Sequence, residues 1–195
     1  MNFLDLSLPY AKTVIINFPG RPITHQIEPV SHLGLHDKYR DIGKKIQQTW
    51  IGFIGCQQRY HNHEIVAHTS ACLGALAEQM KDKMVIIMGS SAWASGVLAS
   101  PIARTIASGM LLFNTNPYHL QQEFPGNTLT KIPWWIDFYN SKEGSSSHAQ
   151  WAEEIASEAQ TENVTQRRID GTELLSAEQA FEWVLMSLRS RNYLE

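Results

Sequence analysis

Six continuous apolar segments of strand length alternate with stretches of helical character along the chain. The predicted strands cover residues 13–18, 50–55, 84–88, 110–114, 134–139 and 164–169. The predicted helices cover residues 36–49, 63–81, 92–108, 148–160 and 177–191. Because the apolar residues of these segments run continuously instead of alternating with polar ones, the strands are expected to be covered on both faces. The pattern predicts an α/β protein with a mostly parallel central sheet of about six strands and helices on both faces.

The composition fits one globular domain covering residues 1–195, with 43% hydrophobic and 18% charged residues. A net charge of −3 gives no electrostatic case for binding nucleic acid. Residues 1–10 have no basic segment typical of a signal peptide, and no apolar run reaches the roughly 20 residues of a membrane span. We expect a cytoplasmic protein without a membrane span; the oligomeric state is not predicted.

In parallel sheets, functional residues gather at the carboxyl ends of the strands. This rule directs attention to the loops that begin at Pro19, Met88, Asn114, Asn140 and Asp170. Residues 117–133, with three prolines and no clear periodicity, are the exception to the regular alternation. We interpret them as a small lid over this edge or as a connector without a role.

The third strand runs into a helix through Gly89-Ser90-Ser91-Ala92. A strand that turns sharply into a helix at a serine presents the hydroxyl above the sheet, where it can act as a nucleophile. The alternative is that both serines only cap the helix, with each hydroxyl accepting a hydrogen bond from an early backbone N–H.

The order of elements resembles the α/β-hydrolase fold in a small, nearly capless form. The resemblance rests on the strand and oxyanion loop, the nucleophile elbow, the next strand, the strand and loop of the triad acid, and the segment of the triad histidine. These correspond to residues 14–21, 86–92, 111–117, 135–144 and 168–175.

The resemblance implies that Ser91 is the nucleophile, because it follows Gly89 with the spacing of the family motif G-x-S-x-G. The second glycine of the motif is replaced by Trp93, and an indole there implies a locally altered elbow. Shifting the frame by one residue makes Ser90 the fallback nucleophile.

The resemblance also implies an oxyanion hole built from backbone N–H groups. The N–H of Ala92 and one N–H in the turn at Gly20 and Arg21 would stabilise the developing negative charge. A rigid turn without catalytic role is the alternative interpretation of the segment around Gly20.

Glu143 follows the fifth strand, where the family places the acid that orients the histidine. An exposed, solvated glutamate is the alternative. No histidine follows His148, although the family's base comes after the last strand. Glu173 would serve as a base only if burial raised its pKa by several units. A histidine from elsewhere is the other option, with His119 and His148 preferred.

Other groups of residues give weaker indications of function. Cys56 and Cys72 are interpreted as core residues, and the histidines near position 61 lack the spacing of a metal site. No dinucleotide-binding or P-loop motif is present, so we expect neither a metal nor a cofactor. Trp134, Trp135 and Trp151 are candidates for an apolar acyl pocket. The alternatives are core packing for Trp135, and partial exposure or contact with a partner for Trp134.

We therefore expect a serine hydrolase that cleaves a small carboxylic ester or thioester through an acyl-enzyme, with an acyl-carrier-bound substrate as one option. The first alternative is a catalytically degenerate protein of the same fold with a binding or scaffolding role. The second is an unrelated flavodoxin-like sheet that binds a phosphorylated ligand at the helix N-terminus after Gly89.

Overall fold

The computed structural model describes residues 10–18, 49–53, 62–116, 129, 132–142, 146–170 and 177–193. The strands are β1 (Thr13–Phe18), β2 (Thr49–Phe53), β3 (Met84–Ser90), β4 (Gly109–Phe113), β5 (Trp135–Ser141) and β6 (Val164–Ile169). The helices are α1 (Asn62–Leu76), α2 (Ala92–Ala99), α3 (Pro101–Ile106), α4 (Ser146–Ala159) and α5 (Ala177–Ser190). A 3₁₀ turn at Ala77–Met80 follows α1.

The described strands form one sheet of six, in the order β2-β1-β3-β4-β5-β6, and every neighbouring pair is parallel. This confirms the predicted fold class. The chain order reverses at β1, which lies between β2 and β3. In open parallel sheets this point leaves a crevice at the carboxyl ends of the strands, and ligands bind there. The crevice here lies between the ends of β1 and β3.

Two apolar layers cover the two faces of the sheet, which explains why the strand segments lack polar alternation. On one face, Val14 and Ile87 belong to a cluster that includes residues of α1, α2 and α4. On the other face, Ile15 and Ile86 pack in a cluster with Val184 and other residues of α5. Successive strand residues point to opposite faces, so each strand contributes to both layers.

The single helix predicted over residues 92–108 is wrong, because α2 ends at Ala99 and α3 begins at Pro101. Ser100 has extended backbone (φ −67°, ψ 119°), the conformation that a following proline favours. The Ser100 Oγ accepts a hydrogen bond from the N–H of Ala103 at 3.2 Å and thereby caps α3. Serine followed by proline therefore ends one helix and starts the next.

Several predicted boundaries also move. Strand β5 continues beyond the predicted end at residue 139, because Asn140 and Ser141 still pair with β6. Thr49 belongs to β2 instead of ending a helix, and the rest of that predicted helix lies outside the described residues.

In the segment 117–133, Leu129 is fully buried in the core, while most of the segment lies outside the described residues. The lid therefore stays a prediction. None of the described helices has the length and apolarity required to cross a membrane.

A buried ionic cluster ties the end of α5 to the sheet. Asp137 on β5 is fully buried and accepts hydrogen bonds from both terminal nitrogens of Arg191, at 2.7 and 2.5 Å. Ser187 and Thr165 each donate a further hydroxyl hydrogen bond of 2.5 Å to the same carboxylate. The guanidinium also stacks over the ring of Trp135, 4.1 Å from its centroid. The carboxylate is thus balanced by a paired cation and by hydroxyl donors.

Candidate active site

Ser91 forms a sharp turn between β3 and α2. Its backbone has φ 55° and ψ −127°, a conformation that costs free energy for a residue with a side chain. The N–H of Ser91 donates to the carbonyl of Phe113 at the end of β4, at 2.8 Å, which holds the turn against the sheet. Ser90, in contrast, is the last residue of β3.

Gly89 provides the space for this turn. A Cβ at Gly89 would lie 2.8 Å from the Cα of Ala94 and 2.9 Å from its backbone nitrogen. These atoms belong to the backbone of α2 and cannot move aside as a flexible side chain would. The close approach of strand and helix therefore requires glycine two residues before Ser91.

The hydroxyl of Ser91 does not cap α2. Ser91 occupies the N-cap position, but its side chain makes no capping hydrogen bond. Its carbonyl oxygen accepts instead from Ala94 and Ser95, at 3.1 and 3.4 Å. Ser91 is half-buried. The capping interpretation is thus wrong for Ser91, and the side chain is left for another role.

Trp93 packs into the core beside the elbow. The side chain is 4% exposed, its ring stacks on Phe18 with a centroid distance of 5.9 Å, and the ring of His68 meets it edge-on at 5.7 Å. His68 also lies 3.4 Å from the sulfur of Cys72, one turn later on α1. The indole therefore fills the space between α1, α2 and the end of β1, while Gly89 keeps the strand close to the helix.

Ala92 is the first residue of α2. The N–H of a first helical residue has no acceptor within its helix and can bind an external oxygen. The other predicted oxyanion donors, at Gly20 and Arg21, lie outside the described residues.

Polar residues follow β4 and β5 at the same edge. Asn114 has a positive φ of 45°, and its Oδ1 accepts a 2.8 Å hydrogen bond from the N–H of Ser141. Its own N–H donates to the carbonyl of Tyr139, at 2.8 Å. Ser95 of α2 donates a 2.5 Å hydrogen bond to the carbonyl of Asn116, which attaches this loop to the helix behind the elbow.

Two buried polar side chains at these strand ends lack hydrogen bonds within the described part of the chain. Asn140 is 2% exposed and Thr115 is fully buried, yet neither the carboxamide of Asn140 nor the Thr115 hydroxyl has a partner there. The sequence directed attention to the loop that begins at Asn140 but assigned this residue no role. A carboxamide near the carboxyl end of a strand of the parallel sheet was the available signal.

His148 lies in the first turn of α4, on the stripe that continues through Trp151, Ala152 and Ile155 into the core. The imidazole is half-buried, and its Nδ1 atom is inaccessible to solvent. The other predicted acid and base residues, Glu143, His119 and Glu173, lie outside the described residues. Asp170, at the end of β6, forms an exposed ion pair with Lys142, at 2.7 Å.

The tryptophans do not line one pocket. Trp135 belongs to the apolar layer on one face of the sheet, whereas Trp134 and Trp151 belong to the layer on the other. All three are buried, and Trp135 begins β5, at the edge opposite to Ser91. The core-packing interpretation therefore holds for Trp135, and the shared acyl pocket is wrong. Cys72 is a buried free cysteine of α1, as predicted.

No family model and no curated protein matches the chain. Among solved structures, a predicted CIB-like hydrolase from Thermoplasma acidophilum is similar with a TM-score of 0.61 and 12% identity, covering 92% of this chain and 87% of that chain. Thermogutta terrifontis esterase 2, phosphoramylated by tabun, is similar with a TM-score of 0.59 and 11% identity, covering 95% of this chain and 86% of that chain. A variant of Arabidopsis thaliana SOBER1 is similar with a TM-score of 0.58 and 10% identity, covering 93% of this chain and 99% of that chain.

These similarities extend over most of the length of each chain. Because the sequence identities are only 10–12%, they show a shared fold and no more. The unrelated flavodoxin-like sheet is thus not the better description. The chain has the α/β-hydrolase fold.

Proposed function

We propose that the protein is a serine hydrolase that cleaves a small carboxylic ester or thioester through an acyl-enzyme on Ser91. One observation carries the proposal: Ser91 is held at φ 55° and ψ −127° between β3 and α2, with its hydroxyl not used as a helix cap. Strained backbone of this kind persists where the surrounding structure enforces it, and it gathers at catalytic residues. The geometry favours Ser91 over Ser90, which still belongs to the strand.

The reaction follows from the groups around the elbow. The Oγ of Ser91 attacks the carbonyl carbon while a base accepts its proton, and the N–H of Ala92 donates to the resulting oxyanion. A second donor is proposed in the turn at Gly20 and Arg21. Collapse of the tetrahedral intermediate expels the alcohol or thiol, which takes the proton from the base. Water then attacks the acyl-enzyme with help from the same base and frees Ser91.

We assign the base to His148, with Glu143 as an acid that supports it. His148 lies at the start of α4, the helix that begins at the carboxyl edge of the sheet, and its side chain is on the helix face toward the core. Histidine suits the role because its pKa lies near neutrality. His119 and Glu173 are the alternative bases, and glutamine variants at these positions and at His148 will distinguish them.

The similar solved structures support this class of activity. They include esterases, and one is an esterase modified by the organophosphorus compound tabun. The same chemistry gives a direct test here. A fluorophosphonate probe reacts with an activated serine whatever the natural ester is, so the unknown substrate does not limit the experiment.

The test compares the wild-type protein with Ser91→Ala and Ser90→Ala after incubation with the probe. Ser90 is the matched control, because it is the neighbouring serine and is also half-buried. We expect labelling of the wild type and of Ser90→Ala, and none of Ser91→Ala. Turnover of a panel of short esters and acyl-pantetheine thioesters then defines the substrate. A folded but unlabelled wild type would contradict the proposal and favour the binding role.

A further inference from the structure

Helix α5 lies against β5 through two lines of side chains whose spacings match. A four-residue repeat in α5 and the turn after it gives the first line, formed by Trp183, Ser187 and Arg191. A two-residue repeat on one face of β5 gives the second line, formed by Trp135, Asp137 and Tyr139. Four helical residues rise about 6 Å and two strand residues about 6.6 Å, so the two lines stay in step. The proposed reaction uses none of these side chains.

The polar part of this contact fixes the position of α5 along the strand. Ser187 donates a hydrogen bond of 2.5 Å to Asp137, and the hydroxyl of Tyr139 lies 2.5 Å from the same Ser187 oxygen. Because Ser187 gives its own proton to the carboxylate, Tyr139 is the donor in the second bond. Arg191 pairs with the carboxylate and stacks on Trp135. A slip of the helix by one turn would break all of these contacts.

The aromatic part of the contact is a stack of three rings at the ends of β4 and β5. The ring of Trp183 lies 5.8 Å from that of Phe113 and 5.8 Å from that of Tyr139, with interplanar angles of 30° and 11°. Phe113 and Tyr139 are 5.3 Å apart and buried, whereas Trp183 is half-buried. Aromatic pairs of this kind add to the stability gained from burial alone. The stack therefore holds Phe113 from the side of α5.

Phe113 connects this stack to the turn at Ser91. The backbone carbonyl of Phe113 accepts the 2.8 Å hydrogen bond from the N–H of Ser91, and Ser90 is the ladder partner of Phe113 on β3. Strained backbone persists only where the surrounding structure enforces it. The side chain of Phe113 is fixed by α5, while its carbonyl restrains the residue that has a φ of 55°.

We propose that Trp183 is a positioning residue, which maintains the strained turn at Ser91 by stacking on Phe113. The proposal rests on the proposed hydrolase function and deepens it, because it assigns control of the nucleophile to the sheet face opposite to α2. The Asp137 cluster then has a role besides stability, since its hydrogen bonds set the place of the indole. Trp183 contacts no reacting atom in the proposed reaction and acts through Phe113.

The experiment compares variants that remove the ring of Trp183 with one that keeps a ring. Trp183→Leu and Trp183→Met lack the ring, and Trp183→Phe retains it. Leu188→Ala is the matched control, because Leu188 is a buried residue of the same apolar layer that lies on α5 about 7.5 Å beyond Trp183. The rate of fluorophosphonate labelling at Ser91 is measured below the Tm of every variant.

A second measurement needs no reactive serine. Ser91→Gly relieves the strain at φ 55° and Ser91→Ala keeps it, so the difference between their Tm values reports the strain. We expect Ser91→Gly to melt about 2–4 °C higher in the otherwise wild-type chain. In the Trp183→Leu background the turn relaxes, and the difference should fall below about 1 °C. In the Leu188→Ala background it should keep its wild-type value.

Labelling should respond to the ring and not to stability in general. We expect Trp183→Leu and Trp183→Met to be labelled at least about tenfold more slowly, because a relaxed turn misplaces the hydroxyl. Trp183→Phe should stay within about threefold of the wild type. Leu188→Ala should also stay within about threefold, although its Tm falls. Wild-type labelling of Trp183→Leu, or equal slowing in Leu188→Ala, overturns the proposal.

The two proposals fail in different ways. An unlabelled wild type contradicts the nucleophilic role of Ser91, whereas the Tm differences still decide whether Trp183 maintains the turn. A labelled wild type whose Tm difference is unchanged by Trp183→Leu overturns the positioning role alone. Slower labelling of Trp183→Leu with an unchanged Tm difference overturns it too, because the ring would then act by another route.

Discussion

The Cα of Ala94 lies 2.8 Å from the position that a Cβ on Gly89 would occupy. The space left by the missing side chain lets the first turn of α2 approach the end of β3 closely, and the strained turn at Ser91 lies between the two elements. The stereochemistry of the elbow therefore depends on a residue that does not contact substrate in the proposed reaction.

Gly89→Ala is expected to destabilise the protein by about 1–3 kcal/mol, because the methyl group overlaps backbone atoms of α2. Labelling of Ser91 should fall at least tenfold, since the turn must open (roughly 1.4 kcal/mol per factor of ten). Gly74→Ala is the control: no atom lies within 4 Å of its Cβ, so this helical position should gain stability. Urea unfolding of both variants measures the difference, and equal stabilities would contradict the close approach at Gly89.

Ser91→Gly should be more stable than Ser91→Ala by about 1 kcal/mol. Glycine adopts φ 55° without steric cost, whereas alanine keeps the strain, and the greater flexibility of unfolded glycine offsets part of the gain. Neither variant can be labelled, so stability is compared free of catalytic effects. If Ser91→Ala proved the more stable of the two in thermal unfolding, the turn would not be strained.

Arg191→Ala should cost about 3–5 kcal/mol, because it leaves the fully buried carboxylate of Asp137 without its cation. Arg168→Ala breaks the exposed pair with Glu153 and should cost no more than about 1 kcal/mol. Denaturant unfolding of the two variants compares a buried pair with an exposed one. Similar losses would show that the Asp137 cluster adds nothing beyond a surface ion pair.

Burial raises the pKa of Tyr139 above its ordinary value of 10.0, and the Ser187 hydrogen bond opposes this shift. Because the folded-state pKa is the higher one, the associated stability is present below pH 10 and is lost as pH rises from there through the folded-state pKa. We expect Tyr139→Phe to lose less Tm than the wild type between neutral pH and pH values above 10. Tyr193→Phe, at an exposed tyrosine, is the control. An identical pH dependence of Tm in the wild type and in Tyr139→Phe would contradict the raised pKa.

The fold could be predicted from the sequence because both faces of the sheet are covered, which makes the central strands β3 and β4 largely apolar. The edge strand β6 is the exception, with polar and charged residues in its middle. The division of the helix after Ser91 could also have been recognised, since Pro101 lacks the N–H that a continuous helix needs. The apolar residues before and after Pro101 have the same helical spacing, so the pattern predicted one continuous helix.

The site could be predicted only where local sequence determines it. The glycine-serine spacing indicates Ser91, because the turn needs small residues at fixed places. The Asp137–Arg191 pair joins residues 54 positions apart in the chain, and the burial of Asn140 depends on the packing around the end of β5. No local pattern encodes such contacts, so these residues were given no role from the sequence.

The most direct test of the nucleophilic role of Ser91 is the site of fluorophosphonate attachment, determined by fragmentation of the tryptic peptide of residues 84–104. This peptide contains Ser90, Ser91, Ser95 and Ser100, so one spectrum compares the candidate with three internal controls. We predict that the probe is attached to Ser91 alone. Attachment to Ser90, or an unmodified peptide from the folded protein, would contradict the account.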